Sequence, residues 1–134
     1  MNTYLKGTVF NNIKTDLTAL FGDWSTHLLS HQKLFTTALS NWGWQASSYI
    51  SAPTESEVYG HREWSGNSYQ EGDAVKPLAI FQKFRWNDLF GNNNHVWLRN
   101  MNAGSVACHA YYDGFAGYGA VTYARSVVGL ILFH

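Results

Sequence analysis

The sequence predicts an α+β domain in which two N-terminal helices precede a short antiparallel sheet with long loops. Three observations carry that reading. Apolar residues recur at three- and four-residue spacing between Leu17 and Leu39. A capping box, Thr54-Glu55-Ser56-Glu57, follows where that pattern gives way to loop. From His95 onward, alternating and apolar runs are separated by Gly- and Asn-rich turns.

The elements follow in order. Residues 1–14 read as a strand or arm carrying Tyr4, Leu5, Val9 and Phe10. Leu17, Leu20, Phe21 and Trp24 mark a first helix, and Leu28, Leu34, Phe35 and Leu39 a second. Thr15 and Ser25 are the expected N-caps, and Gly22 separates the two helices. Trp42-Gly43-Trp44 closes the helical region, and Ser48-Tyr49-Ile50 is a short strand. The capping box opens a helix that ends near Gly60, because Thr54 takes a backbone N–H while Glu57 reaches back to Thr54. Residues 61–75 are polar and read as loop. Residues 78–84 fit strand or helix equally. Gly91-Asn92-Asn93-Asn94 is a turn. His95 to Arg99 and Ser105 to Tyr112 are strands, with Asp113-Gly114 as a hairpin turn. Val106, Cys108, Ala110 and Tyr112 share one face of the second strand; Ala107, His109 and Tyr111 share the other. Gly117 to Arg125 is a strand pair or loop, and the apolar run Val127 to Phe133 predicts a central buried strand.

The 134 residues fit one domain spanning 1–134, long enough to bury a core without staples. Formal net charge is zero and no cluster of Lys or Arg stands out, so a nucleic-acid partner is not expected. Charged residues are only 13% and aromatics reach 16%, a balance that favours association with another protein or with itself, so a homo-oligomer is an open option. The lone Cys108 makes no internal disulfide. No basic-then-apolar leader opens the chain and no run reaches spanning length, so membrane insertion is not expected. Localisation stays open, a virion included.

Chemistry-bearing groups are sparse. Trp86-Asn87-Asp88 spells a calcium-binding tripeptide, but it precedes the strand it should follow, and a turn or helix cap is the expected role. His27 and His31 share a helix face without a third ligand. Cys108 falls between Val106 and Ala110 on the inward face, which suits an inert thiol. Glu55 and Glu57 read as helix-capping carboxylates, and Trp64, Trp86 and Trp97 as core. With no acid–base pair, nucleophile or cofactor loop, neither an enzyme nor a cofactor is expected. The polar face of the C-terminal third is the candidate binding surface: Asn100, Asn102, Ser105, Ala107, His109, Tyr111, Phe115, Tyr118, Ala120 and Tyr123. Tyr with small residues is the mixture adaptable binding surfaces use.

Ala52-Pro53-Thr54-Glu55-Ser56-Glu57-Val58, Val96-Trp97-Leu98-Arg99-Asn100 and the closing Ala124 to Leu132 segment, in this order, resemble one family. They are similar to the C-type-lectin-like fold of formylglycine-generating enzymes, and more narrowly to the variable proteins of diversity-generating retroelements from phages, bacteria and archaeal viruses. The resemblance covers about residues 45–134, and the usual Gly-Val-Arg-Pro of the last strand is replaced here by Val127, Val128, Gly129 and Leu130. It implies a C-type-lectin-like scaffold with a variable region, 97–134, that binds a protein or glycan ligand on a cell surface. In that family adenine-directed copying changes AAY codons, which never become Lys, Glu, Gln, Trp or Met. Residues 102–126 contain none of these five types, whereas residues 1–101 contain 21 of them. The alternative reading is a structural tail or surface protein of a virus without a diversified site.

Overall fold

The computed structural model describes residues 19–36, 42–44, 49–66, 76–91 and 94–132. Its centre is a four-stranded sheet in the order β6-β5-β4-β7, built from β4 (Val96–Ala103), β5 (Val106–Ala110), β6 (Ala116–Ala120) and β7 (Ser126–Val127). β4, β5 and β6 form an antiparallel meander, and β7 lies parallel to β4, with Val96 opposite Ser126. Two-stranded pairs flank it: β1 (Leu34–Thr36) with β2 (Trp42–Trp44), and β3 (Ile50–Ser51) with β8 (Leu130–Ile131). Among the described residues, short α-helices complete it: α1 (Glu55–Tyr59), α2 (Ala79–Lys83) and α3 (Trp86–Phe90).

The expected pair of N-terminal helices does not form among the described residues. Among the described residues strands outweigh helices. Among the described residues Ala19 and Leu20 are helical and a 3-10 helix, Gly22–His27, follows; Ser25 lies inside it rather than capping a second helix. Leu34–Thr36 is strand, paired Leu34 to Trp44 and Thr36 to Trp42. Just before it, the Leu29 N–H donates to the Leu132 carbonyl at 2.8 Å. Pairing with distant chain overrides a weak local period of this kind. The expected arm 1–14, the Thr15 cap and Leu39 lie outside the described residues.

Val127 to Phe133 is not one central strand. Over residues 127–132 it breaks into β7 at the sheet margin and β8 beside β3, with Gly129 between them; residues 127–131 are half-buried and Leu132 is exposed, while Phe133 lies outside the described residues. Each fragment finds a different partner, so the apolar run serves two sheets.

The local readings fare better. Thr54 Oγ1 accepts from the Glu57 N–H at 3.2 Å, and the Thr54 N–H donates to Glu57 Oε2 at 2.9 Å. α1 ends on Gly60 at φ 85°, the left-handed region that favours glycine. Residues 78–84, open between strand and helix, become α2.

The core lies on both faces of the sheet. Val96, Leu98, Cys108 and Ala110 pack on one face with Val58 and Trp86. Trp97, Met101 and Ala107 pack on the other, with Val121 and Val127 against them. β5 is therefore covered on both sides. Among the described residues, no helix is long and apolar enough to cross a membrane.

Candidate functional site

The site begins with a buried carboxylate. Glu55 opens α1 with its side chain wholly buried. It accepts hydrogen bonds from the backbone N–H groups of Glu63 (3.3 Å), Trp64 (2.9 Å) and Ser65 (2.9 Å), and from the Ser65 hydroxyl. A buried charge persists only when it is saturated in this way. Glu57, not Glu55, closes the capping box, and Glu57 also takes an ion pair from Lys33 at 2.5 Å. The Glu55 N–H in turn donates to Asn100 Oδ1 at 2.7 Å, and Asn102 Nδ2 donates to the Trp64 carbonyl at 2.7 Å. Gly66 lies so close to the Asn102 carbonyl that a Cβ there would overlap it. Together these contacts strap loop 61–66 onto the end of β4.

The strap delivers Trp64 to the edge of the sheet. Its indole Nε1 donates to the Ala116 carbonyl of β6 at 3.2 Å, and its ring lies 5.0 Å from that of Tyr118. β6 is an edge strand of the sheet. The Tyr111 N–H to Phe115 carbonyl bond and the Val121 N–H to Ser105 carbonyl bond, with the β5–β6 register, leave the even-numbered residues of β6 directing their backbone groups outward. Trp64 was expected in the core; it is instead 41% exposed, whereas Trp86 and Trp97 are buried.

The ten residues of the candidate surface divide. Asn100, Ala107 and His109 are wholly buried, Asn102 and Ala120 are half-buried, and Ser105 is exposed in the β4–β5 turn. Tyr111, Phe115, Tyr118 and Tyr123 are exposed, by 37%, 72%, 48% and 58%. Alternation along β5 separates its two faces as expected, but the face carrying Ala107 and His109 is roofed rather than solvated.

Two glycines make the roof. Gly117 and Gly119 stand opposite His109 and Ala107. A Cβ at Gly117 would overlap the Tyr111 ring, and one at Gly119 would lie 3.1 Å from Arg125 Nη2 and 3.3 Å from the Tyr123 ring. Tyr111 thus lies 4.6 Å from the His109 ring, which also meets Trp97 edge-on at 5.7 Å. Arg125 sits 5.1 Å from the Trp97 ring and 5.6 Å from that of Tyr123, within cation–π range. Neither ring nitrogen of His109 has a hydrogen-bond partner. Burial first, and the Arg125 charge second, lower its pKa to about 4; backbone groups of Tyr118 and Ala110 oppose this weakly. His109 is therefore neutral near pH 7.

Two cavities flank Tyr59. One, of about 430 Å³, is lined by Val58, Phe81, Phe84, Trp86 and their neighbours. The other, of about 310 Å³, is lined by Tyr59, His61, Glu63, Trp64, Gly114, Phe115 and Ala116, and opens beside the exposed aromatics. The sequence reads residues 61–75 only as polar loop. The part of loop 61–66 in the site follows from contacts nine to fifty-two residues apart, for which the sequence holds no local signal.

Other expected groupings do not form. His27 stays in the 3-10 helix while His31 binds Ser51 Oγ through Nε2 at 3.0 Å. Trp86-Asn87-Asp88 forms the first turn of α3, with Asn87 and Asp88 exposed. Among the described residues no three His, Cys, Asp or Glu side chains converge. Cys108 is buried. Comparisons with protein families, with curated proteins and with solved structures return no match, so none of them identifies the C-type-lectin-like fold or the retroelement variable proteins that the sequence segments resemble.

Proposed function

We propose that the chain is a recognition protein that binds a cell-surface protein or glycan through the exposed aromatics of its C-terminal meander. The observation that carries this reading is the set of exposed aromatics that borders β6 on both sides: Trp64 and Tyr118 on the face of Cys108, Tyr111 and Tyr123 on the face of His109, and Phe115 in the turn between β5 and β6. Exposed aromatics so concentrated on a sheet mark interaction surfaces. Tyrosine gives large contact area for little side-chain entropy, and the backbone beneath is tied into a packed sheet.

The sequence resemblance and the composition of residues 102–126 support a retroelement origin for this surface. On that reading variation falls on Ser105, Phe115, Tyr118, Ala120 and their neighbours, while Asn100, Ala107 and His109, wholly buried, stay constant. A near-identical template repeat differing at adenines, beside a reverse-transcriptase gene, is the expected genomic signature; a locus with neither removes the retroelement part.

The binding part is tested by screening the chain against glycan and cell-surface protein arrays. Tyr118→Ala/Tyr123→Ala should lose at least about tenfold in affinity for any hit, the usual weight of paired aromatic anchors. Trp24→Ala, exposed but remote from the meander in sequence, should leave binding unchanged. Equal binding by all three proteins refutes the surface assignment.

A further inference from the structure

The cavity beside the exposed aromatics has a chemistry of its own. Three of its walls are aromatic: Tyr59, Trp64 and Phe115. Its charged lining is Glu63, paired with His61 at 3.0 Å, and no Lys or Arg lines it. Aromatic faces carry partial negative charge and attract cations, most strongly where a carboxylate adds to the field. From this arrangement we infer that the cavity receives an ammonium group of the ligand, primary or methylated, enclosed by Tyr59, Trp64 and Phe115 and facing Glu63.

Two further observations agree. The Tyr59 hydroxyl is held well above the usual tyrosine range, by burial first and then by the carboxylates of Glu55 and Asp113, with Cys108 and Glu63 adding to them. Burial is the largest cause; the carboxylates of Glu55, Asp113 and Glu63 that add to it also disfavour a further negative charge here. The Glu63 carboxylate pairs with the exposed ring of His61. It is about half exposed, and the bonds that fix the loop come from the Glu63 backbone, not its side chain. At about 310 Å³ the cavity is of ligand size. The other cavity is lined by Arg85 as well as Asp113, so its acidic group is offset by a cation.

This inference rests on the recognition reading and names what part of the ligand the surface takes. It is tested on the full chain with choline, n-butylammonium and their neutral counterparts 3,3-dimethylbutan-1-ol and n-butanol, followed by the Trp64 indole N–H signal in NMR. At least one cation should bind in the millimolar range, about tenfold more tightly than its neutral counterpart, as expected for a partly desolvated cation–π site. The better cation tells a methylated group from a primary one. Glu63→Gln should weaken cation binding several-fold and leave the neutral compounds unaffected; Phe115→Ala should weaken both. Unchanged amide dispersion shows that each variant folds. Neutral compounds binding as well as the cations, or no cation binding at all, overturns the inference. Either result leaves the aromatic surface standing if Tyr118→Ala/Tyr123→Ala still abolishes macromolecular binding, so the two proposals fail separately.

Discussion

Replacing Glu55 by Ala tests whether one buried carboxylate holds loop 61–66. In the native protein it satisfies three backbone N–H groups and one hydroxyl. Removing it strands those donors. A buried donor left unpaired costs about 1–3 kcal/mol. Residues 63 and 64 are exposed, so their N–H groups can turn to water and contribute at the low end; Ser65 is half-buried and contributes more. Against this, the desolvation of the carboxylate itself is relieved. The net expectation for Glu55→Ala is a loss of about 2–4 kcal/mol, and somewhat less for Glu55→Gln, whose oxygen keeps part of the set while its amide donors face N–H groups. Urea denaturation reads the midpoint at unchanged slope. NMR reads the second half of the claim: the amide signals of residues 63–65 and the Trp64 indole should move toward solvent-exposed values, while those of β4 and β5 hold. A cost below about 1 kcal/mol with those signals in place would falsify the anchoring role.

Three other outcomes are expected. Thr54→Ala removes the side-chain half of the capping box and should cost about 1 kcal/mol in denaturation midpoint, with no change at Trp64. His109 has a folded pKa of about 4 against 6.5 unfolded, so the unfolded chain takes up the proton first: stability should be full above pH 6.5 and fall as pH drops toward 4. The ring is out of contact with water but lies under a single layer of side chains, so the loss should be at most about 2 kcal/mol at pH 4.5; His109→Leu should flatten this part of the pH profile, and an unchanged profile counts against the assignment. Gly114→Ala meets both a left-handed φ of 89° and a Cβ contact of 2.9 Å with the Trp86 Cβ, so thermal unfolding should come earlier by several degrees, about 1–2 kcal/mol.

What was legible in the sequence was local. The capping box and Gly60 define α1 because every contact involved lies within six residues. Asp113-Gly114 defines the β5–β6 turn for the same reason, with Gly114 at positive φ and the Phe115 N–H donating to Asp113 Oδ1. The N-terminal helices were misread because Leu28, Leu34 and Phe35 satisfy a helical period that cannot register Leu132 or Trp44 as partners. The candidate surface was half legible. Alternation placed Ala107 and His109 on one face of β5, but it carries no information about what covers that face. The covering depends on Gly117 and Gly119 admitting Tyr111, Tyr123 and Arg125. Trp64 was invisible as a site residue because Glu55 and β6 bring it there from far along the chain.

The glycine-made roof has a consequence for how this surface can evolve. Tyr111 and Tyr123 face solvent on one side and shield His109, Trp97 and Arg125 on the other. On the proposed recognition reading, a change at either position alters ligand contact and folding together, so selection for a new partner is filtered by stability there. Phe115 and Ser105 project from turns and carry no such double duty. Sequence space around this protein is therefore uneven: broad at the turns, narrow under the roof. A library that randomises Ser105, Phe115, Tyr118 and Ala120 while fixing Tyr111, Gly117, Gly119 and Tyr123 should yield a larger folded fraction than one that randomises all eight.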